Sequence, residues 1–206
     1  MVFRSSEPSS AAHPPRVPAL HDHIARILLD ETAIHGAIER LAGELESFHR
    51  EREMTIVAVL KGAFVFVADL IRQLPSPVRV VFVSAVSYRD GTDPGELELF
   101  WTADPREIAG QRVLVVDDIL DSGRTLLAVR DRCLLEGAAE VKTCVFLDKP
   151  ERRAIEFSAD FVGFEIEDEF VVGYGLDHAG CCRNLPYVGA LKPELLVRSA
   201  ALRGGP

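Results

Sequence analysis

The sequence predicts an α/β fold: a mostly parallel, twisted sheet flanked by helices. Two observations predict it. Apolar runs of strand length recur along the chain, and the stretches between several of them carry helical periodicity, the pattern of strand–helix–strand units with right-handed crossovers. The length of 206 residues, 48% of them hydrophobic and 27% charged, fits one globular domain.

Residues 1 to 18 contain four prolines and four serines and almost no apolar periodicity, so they are expected to form a flexible tail ahead of a single domain over 19–206. From Glu31 onward, Ile34, Ile38, Leu41, Leu45 and Phe48 recur at spacings of 4, 3, 4 and 3, which stacks them on one helix face. Strand-length apolar runs follow at Thr55–Leu60, Val78–Val86, Val113–Val116 and Val141–Leu147. The first, third and fourth are apolar at nearly every position, as strands covered on both faces are. Gly62–Leu74 and Thr125–Glu136 supply helical connections. The stretch Tyr88–Gly110, punctuated by Gly91, Pro94, Gly95 and Pro105, is long enough to predict a lid or hairpin flap. Phe161–Leu191, rich in glycine and aromatics, reads as short strands and turns.

Composition excludes several classes of function. With 23 basic and 32 acidic residues the formal charge is −9, which argues against wrapping nucleic acid, where clustered Lys and Arg displace counterions. No run approaches the ~20 apolar residues of a membrane span, and the N-terminus lacks the apolar core of a secretory signal. A cytoplasmic location is expected. The four cysteines, Cys133, Cys144, Cys181 and Cys182, have no metal-site spacing and read as reduced thiols.

The most informative segment is Val113–Leu126. A buried strand reaches the adjacent carboxylates Asp117 and Asp118, then a polar loop of Asp121, Ser122, Gly123, Arg124 and Thr125 opens a helix. Ligands of open α/β sheets sit at this edge. Consecutive backbone N–H groups, two hydroxyls and a glycine at a helix start suit a phosphate. The spacing of a Walker A loop is absent. Asp121 or Ser122 could instead simply cap the helix. That reading leaves Asp117 and Asp118 unexplained, because carboxylates at a buried strand end are costly unless paired, hydrogen-bonded or near a metal. The vicinal hydroxyls of a ribose would be suitable partners.

Val115 through Thr125 resembles the phosphoribosyl diphosphate (PRPP) signature of the type I phosphoribosyltransferases. Leu60-Lys61-Gly62-Ala63 resembles that family's pyrophosphate loop, and Ser87-Tyr88 the start of its flap. Lys149, together with Asp160–Asp177 and Arg183–Tyr187, resembles the hood region of the hypoxanthine-guanine phosphoribosyltransferases, with hood elements near 160–195. The similarity runs from about residue 25 to 195.

That resemblance implies the type I phosphoribosyltransferase fold with a small hood and a mobile flap. It implies PRPP and hypoxanthine or guanine as substrates, IMP or GMP and pyrophosphate as products, Mg2+ as cofactor, and a homodimer or homotetramer. Asp117 and Asp118 would hold the ribose hydroxyls near the cation, and Asp121 would be the general base at purine N7. Residues 121–125 would hold the 5′-phosphate, while Lys61, Gly62 and Arg183 would meet the pyrophosphate. Phe170 would stack on the purine, Lys149 would donate to its 6-oxo group, and Val171 and Asp177 would meet its 2-position through backbone groups. The Asp177 carboxylate would also help hold a second magnesium. His178 stands where the family usually has a tyrosine, and Cys181-Cys182 replaces more polar residues. The rival readings are a xanthine-preferring phosphoribosyltransferase and a non-catalytic regulator that keeps the PRPP fold.

Overall fold

The computed structural model describes residues 20–49, 53–87 and 97–195, so the proposed 1–18 tail and Tyr88 of the flap lie outside the described residues. Strands β1 (Ile24–Leu29), β2 (Met54–Leu60), β3 (Val78–Ser87), β4 (Leu97–Trp101), β5 (Arg112–Leu120), β6 (Glu140–Asp148), β7 (Phe161–Glu165), β8 (Val171–Val172) and β9 (Val188–Leu191) alternate with helices α1 (Glu31–His49), α2 (Phe64–Gln73) and α3 (Arg124–Leu135). The central sheet has the order β4-β3-β2-β5-β6-β7. Every neighbouring pair in it is parallel except β3–β4. The fold expectation is met.

Side-chain alternation along the central strands divides the core into two layers. Met54, Ile56 and Ala58 of β2 and Leu114 and Val116 of β5 meet α1 and α2. Val57 and Val59, with Val113 and Val115, face α3 through Leu126, Val129 and Cys133. All five residues of the α1 stripe are buried, each burial being worth about 1.5–3 kcal/mol. That helix starts where Asp30 Oδ1 accepts the Ala33 N–H at 2.8 Å. α2 stops at Leu74, whose extended backbone (ψ 130°) is what a following proline, Pro75, imposes.

β2 leads outward to β3, whereas β5 leads the other way to β6. The carboxyl ends of β2 and β5 therefore lie side by side at the point where the winding reverses, and that edge is where such sheets bind ligands. Above it sits a second, antiparallel sheet, β1-β9-β8. Two differences from the sequence expectation matter. β7 belongs to the edge of the central sheet rather than to the hood, and β1, which the sequence reading did not foresee, completes the hood by pairing with β9. The expected flap begins as a hairpin, with β4 antiparallel to β3. Among the described residues no helix is long and apolar enough to cross a membrane.

Candidate active site

β5 runs past its apolar stretch to Leu120, because pairing with β6 continues through Asp117–Val145 and Leu120–Asp148. Asp117 is 6% exposed and its Oδ1 accepts the Asp118 N–H at 2.9 Å. Burial, reinforced by the neighbouring Asp118 charge, pushes the Asp117 carboxyl well above the usual carboxylate range. Burial raises Asp118 as well, opposed by backbone hydrogen bonds and the Arg183 charge.

The adjacent strand end is fitted to this pair. After β2, a cis peptide joins Leu60 to the exposed Lys61, and Gly62 follows. A Cβ on Gly62 would lie 1.7 Å from Asp118 Oδ2, so only glycine lets this loop pass the carboxylate. Gly175 of the hood loop, at φ +100°, would in turn place a Cβ 2.1 Å from the Gly62 carbonyl oxygen. Arg183 locks the same loop. Its Nη1 donates to Gly175 O at 2.7 Å, and its Nη2 lies 2.6 Å from Asp177 Oδ1. Asp177 Oδ2 also accepts the Gly180 N–H at 2.7 Å.

The loop after β5 starts α3 without a side-chain cap at its N-cap residue, Gly123, whose φ is +87°. The Gly123 carbonyl accepts the first helical bond, from Leu127 N–H at 3.0 Å, while Ser122 Oγ takes the Arg124 N–H at a long 3.4 Å. Simple helix capping is therefore a poor account of these residues. Asp117, Asp121, Ser122, Gly123 and Thr125 border a hollow of about 60 Å³ at the helix start. Arg124 is exposed. Unpaired first-turn N–H groups and the helix dipole favour an anion there.

Beside the hollow opens a cleft of about 520 Å³ that gathers Asp118, Asp121, Lys149, Phe170, Val171 and Asp177. Lys149 is 8% exposed; its Nζ donates to Glu169 O at 2.5 Å and lies 3.8 Å from Asp168 Oδ1. Burial lowers its pKa, partly offset by the Asp168 charge. Phe170, by contrast, leaves 44% of its surface exposed and has the His178 ring edge-on at 5.3 Å. An open aromatic face beside a buried ammonium suits a flat heterocycle bearing an acceptor.

Sequence reasoning missed three cleft neighbours. Arg152 Nε lies 3.1 Å from Asp121 Oδ1, and its Nη1 is 3.7 Å from Asp168 Oδ2. Arg153 donates to the carbonyls of Leu120 (2.9 Å) and Asp121 (2.5 Å) and pairs with Asp148. The only available signal was the Arg152-Arg153 pair just after Lys149-Pro150.

Adjacent carboxylates that burial pushes toward protonation offer hard oxygen donors that suit a divalent cation shared with substrate oxygens. Among the described residues no three His, Cys, Asp or Glu side chains gather into a complete cage, so Asp177 does not share a common ligand set with Asp117 and Asp118. Ser87 closes β3, so the start of the flap lies at the carboxyl edge of the same sheet.

Residues 25–179 match the phosphoribosyl transferase domain family. The hypoxanthine-guanine phosphoribosyltransferase of Aquifex aeolicus (strain VF5) is 46% identical over 165 residues, covering 79% of this chain and 92% of that protein. The hypoxanthine phosphoribosyltransferase of Haemophilus influenzae is 40% identical over 176 residues, covering 84% and 98%. Among solved structures, a hypoxanthine-guanine phosphoribosyltransferase of Bacillus anthracis superposes with a TM-score of 0.76 at 40% identity, covering 82% of this chain and 98% of that one. Identity at this level across nearly the whole of each relative establishes kinship: the chain belongs to the type I phosphoribosyltransferase family, in its hypoxanthine-guanine branch.

Proposed function

We propose that the protein is a purine salvage transferase that joins hypoxanthine or guanine to PRPP, giving IMP or GMP and pyrophosphate. The observation that carries this reading is a single cleft that gathers Asp121, Lys149 and Phe170 next to the α3 N-terminus, at the reversal point of the sheet. The domain spans 19–206, the protein acts in the cytoplasm, and it assembles as a homodimer or homotetramer. Exposed Phe64, beside a groove of about 610 Å³ between α1, α2 and Arg183–Pro186, supports an apolar self-contact that sedimentation would test.

The 5′-phosphate is held by the backbone N–H groups of Ser122–Thr125 and the hydroxyls of Ser122 and Thr125. Asp117 and Asp118 accept from the ribose hydroxyls. Asp117 and Asp118 are the carboxylates suited to hold one Mg2+ and Asp177 a second, and the bound cations would neutralise the charge of the pyrophosphate leaving group. Lys61, the Gly62 backbone and Arg183 meet the pyrophosphate. Arg183 must leave Asp177 to do so, which frees that carboxylate. Phe170 stacks on the purine, Val171 and Asp177 offer backbone groups at its 2-position, and Asp121 takes the N7 proton as N9 bonds to the sugar. The flap from Ser87-Tyr88 excludes water from the cationic sugar.

Lys149 decides the base class. Its ammonium has only donors, so a 6-oxo group is matched and the 6-amino group of adenine is not, a mismatch worth up to ~10⁴-fold. The test is a spectrophotometric assay with PRPP, Mg2+ and each of hypoxanthine, guanine, xanthine and adenine. Turnover of hypoxanthine and guanine is expected. Faster turnover of xanthine would make it a xanthine-preferring enzyme, and no nucleotide from any base would overturn the enzymatic reading.

A further inference from the structure

A half-exposed carboxylate makes a poor general base unless something fixes its direction, because each free rotamer is a wrong geometry as well as an entropy cost. Asp121 is such a group, with 47% of its side chain exposed. Its Oδ1 meets Arg152 Nε at 3.1 Å, and no described side chain or N–H is placed on Oδ2. We propose that Arg152 is the positioning residue for Asp121: it holds Oδ1 in place and leaves Oδ2 as the oxygen that takes the purine proton. This rests on Asp121 being the base.

Arg152 is built to hold a direction. It ends the short helix Pro150–Arg152, and its own N–H bonds to Lys149 O at 3.1 Å. The segment around it is bolted to the Asp121 loop at three backbone points: Lys149 N–H to Leu120 O at 3.0 Å, Ala154 N–H to Ser122 O at 3.1 Å, and Arg153 across the Leu120 and Asp121 carbonyls. The far end of the guanidinium is steadied by Asp168, 3.7 Å from Nη1, which Lys149 also approaches. Guanidinium and carboxylate thus form a chain, Asp121–Arg152–Asp168–Lys149, that crosses the cleft from the proton-accepting side to the 6-oxo side. Arg152 is itself 53% exposed, and an ion pair that open to water adds little to folding stability. Its consequence belongs in turnover instead.

The test is a double-mutant cycle of Arg152→Ala, Arg152→Lys and Asp121→Asn, read by single-turnover kinetics, by KM for PRPP and by melting temperature. Arg152→Ala is expected to lower the chemical step about ten- to a hundredfold, with KM for PRPP and melting temperature unchanged. Arg152→Lys, which keeps the charge without the fork, recovers part of that loss. On the Asp121→Asn background, Arg152→Ala adds less than about a twofold loss, because the group it positions is gone. Wild-type turnover in Arg152→Ala, or a full additional loss on that background, would overturn the positioning role. Wild-type turnover in Asp121→Asn alone would instead overturn the base assignment on which it depends.

Discussion

Asp121 and Lys149 carry the sharpest residue-level consequences. If Asp121 takes the purine proton while backbone amides keep the 5′-phosphate, Asp121→Asn should lower kcat by about 10²–10⁴ with little change in KM for PRPP. Equal losses in both would contradict a division of labour between carboxylate and loop. Lys149 makes a prediction about pH. Burial lowers its pKa, so the folded protein releases this proton below the ~10.4 of a free lysine. In stability terms the sign is that of a disfavoured ammonium: Lys149 costs the fold while both states are charged, and that cost is relieved as pH rises through the folded value toward ~10.4. If Lys149 donates to the 6-oxo group as proposed, the sign reverses in activity, because the charged donor is lost over the same interval. The alkaline limb of kcat/KM for hypoxanthine should move to higher pH in Lys149→Arg, since a guanidinium stays protonated. The titration of the base itself is common to both enzymes, so coincident limbs would show that Lys149 does not set it. Both residues were legible through the family resemblance rather than through periodicity, Asp121 as part of the PRPP signature and Lys149 by its place just past the fourth apolar run. Arg152, Arg153 and Asp168 were not. In a polar stretch they look like ordinary solvated charges, and only folding brings Arg152 to a carboxylate 31 positions away.

The helices and inner strands were legible because burial on one or both faces writes itself into periodicity, as in the α1 stripe and in β2, β5 and β6. β1 was not. Its pairing with β9 carries register shifts between Ile24 and Arg26 and again between Ile27 and Leu29, and these break the period of 2 that a strand search relies on. β8, only two residues long, offers no period at all. The end of β5 was set too early, since the apolar run stops at Val116 while pairing with β6 carries extended backbone to Leu120. Glycines test which junctions these elements hold. Gly62→Ala would force its Cβ into the Asp118 carboxylate, and Gly175→Ala combines a left-handed φ with a clash on the Gly62 carbonyl. Both should lose most turnover while the inner sheet still folds. Gly36→Ala is the contrast. It lies in α1 with nothing within 4 Å of the added methyl, so it should stabilise by about 1 kcal/mol, seen as a rise of ~2–4 °C in melting temperature with activity intact. Melting curves and initial rates on the three variants decide the matter. Loss of activity in Gly36→Ala, or its retention in Gly62→Ala, would break the account.

For the whole molecule the question is how a chain of net charge −9 serves an anionic substrate. Net charge sets a long-range field that salt screens beyond about 8–10 Å, whereas a bound substrate feels the groups that touch it. The fold sorts those groups. In the proposed assignment Asp117, Asp118 and Asp177 serve hydroxyls and cations, and the phosphates fall to the first turn of α3, Lys61 and Arg183. Arg183 is already engaged by Asp177 at 2.6 Å, and Asp117 and Asp118 bring to the same edge two carboxyls that burial pushes toward protonation and that offer a phosphate no positive charge. On that assignment the protein alone is a weak host for PRPP, and a divalent cation would supply the missing positive charge. Thermal melts can measure this. PRPP at about 100 times its dissociation constant should stabilise the protein by ~2.7 kcal/mol, or about 5–10 °C, when Mg2+ is present. With EDTA the same PRPP concentration should produce a small fraction of that shift, and Asp118→Asn should narrow the gap between the two conditions. Equal shifts with and without the cation would mean that the backbone amides, Lys61 and Arg183 hold the phosphates unaided. The paired carboxylates would then serve the ribose only.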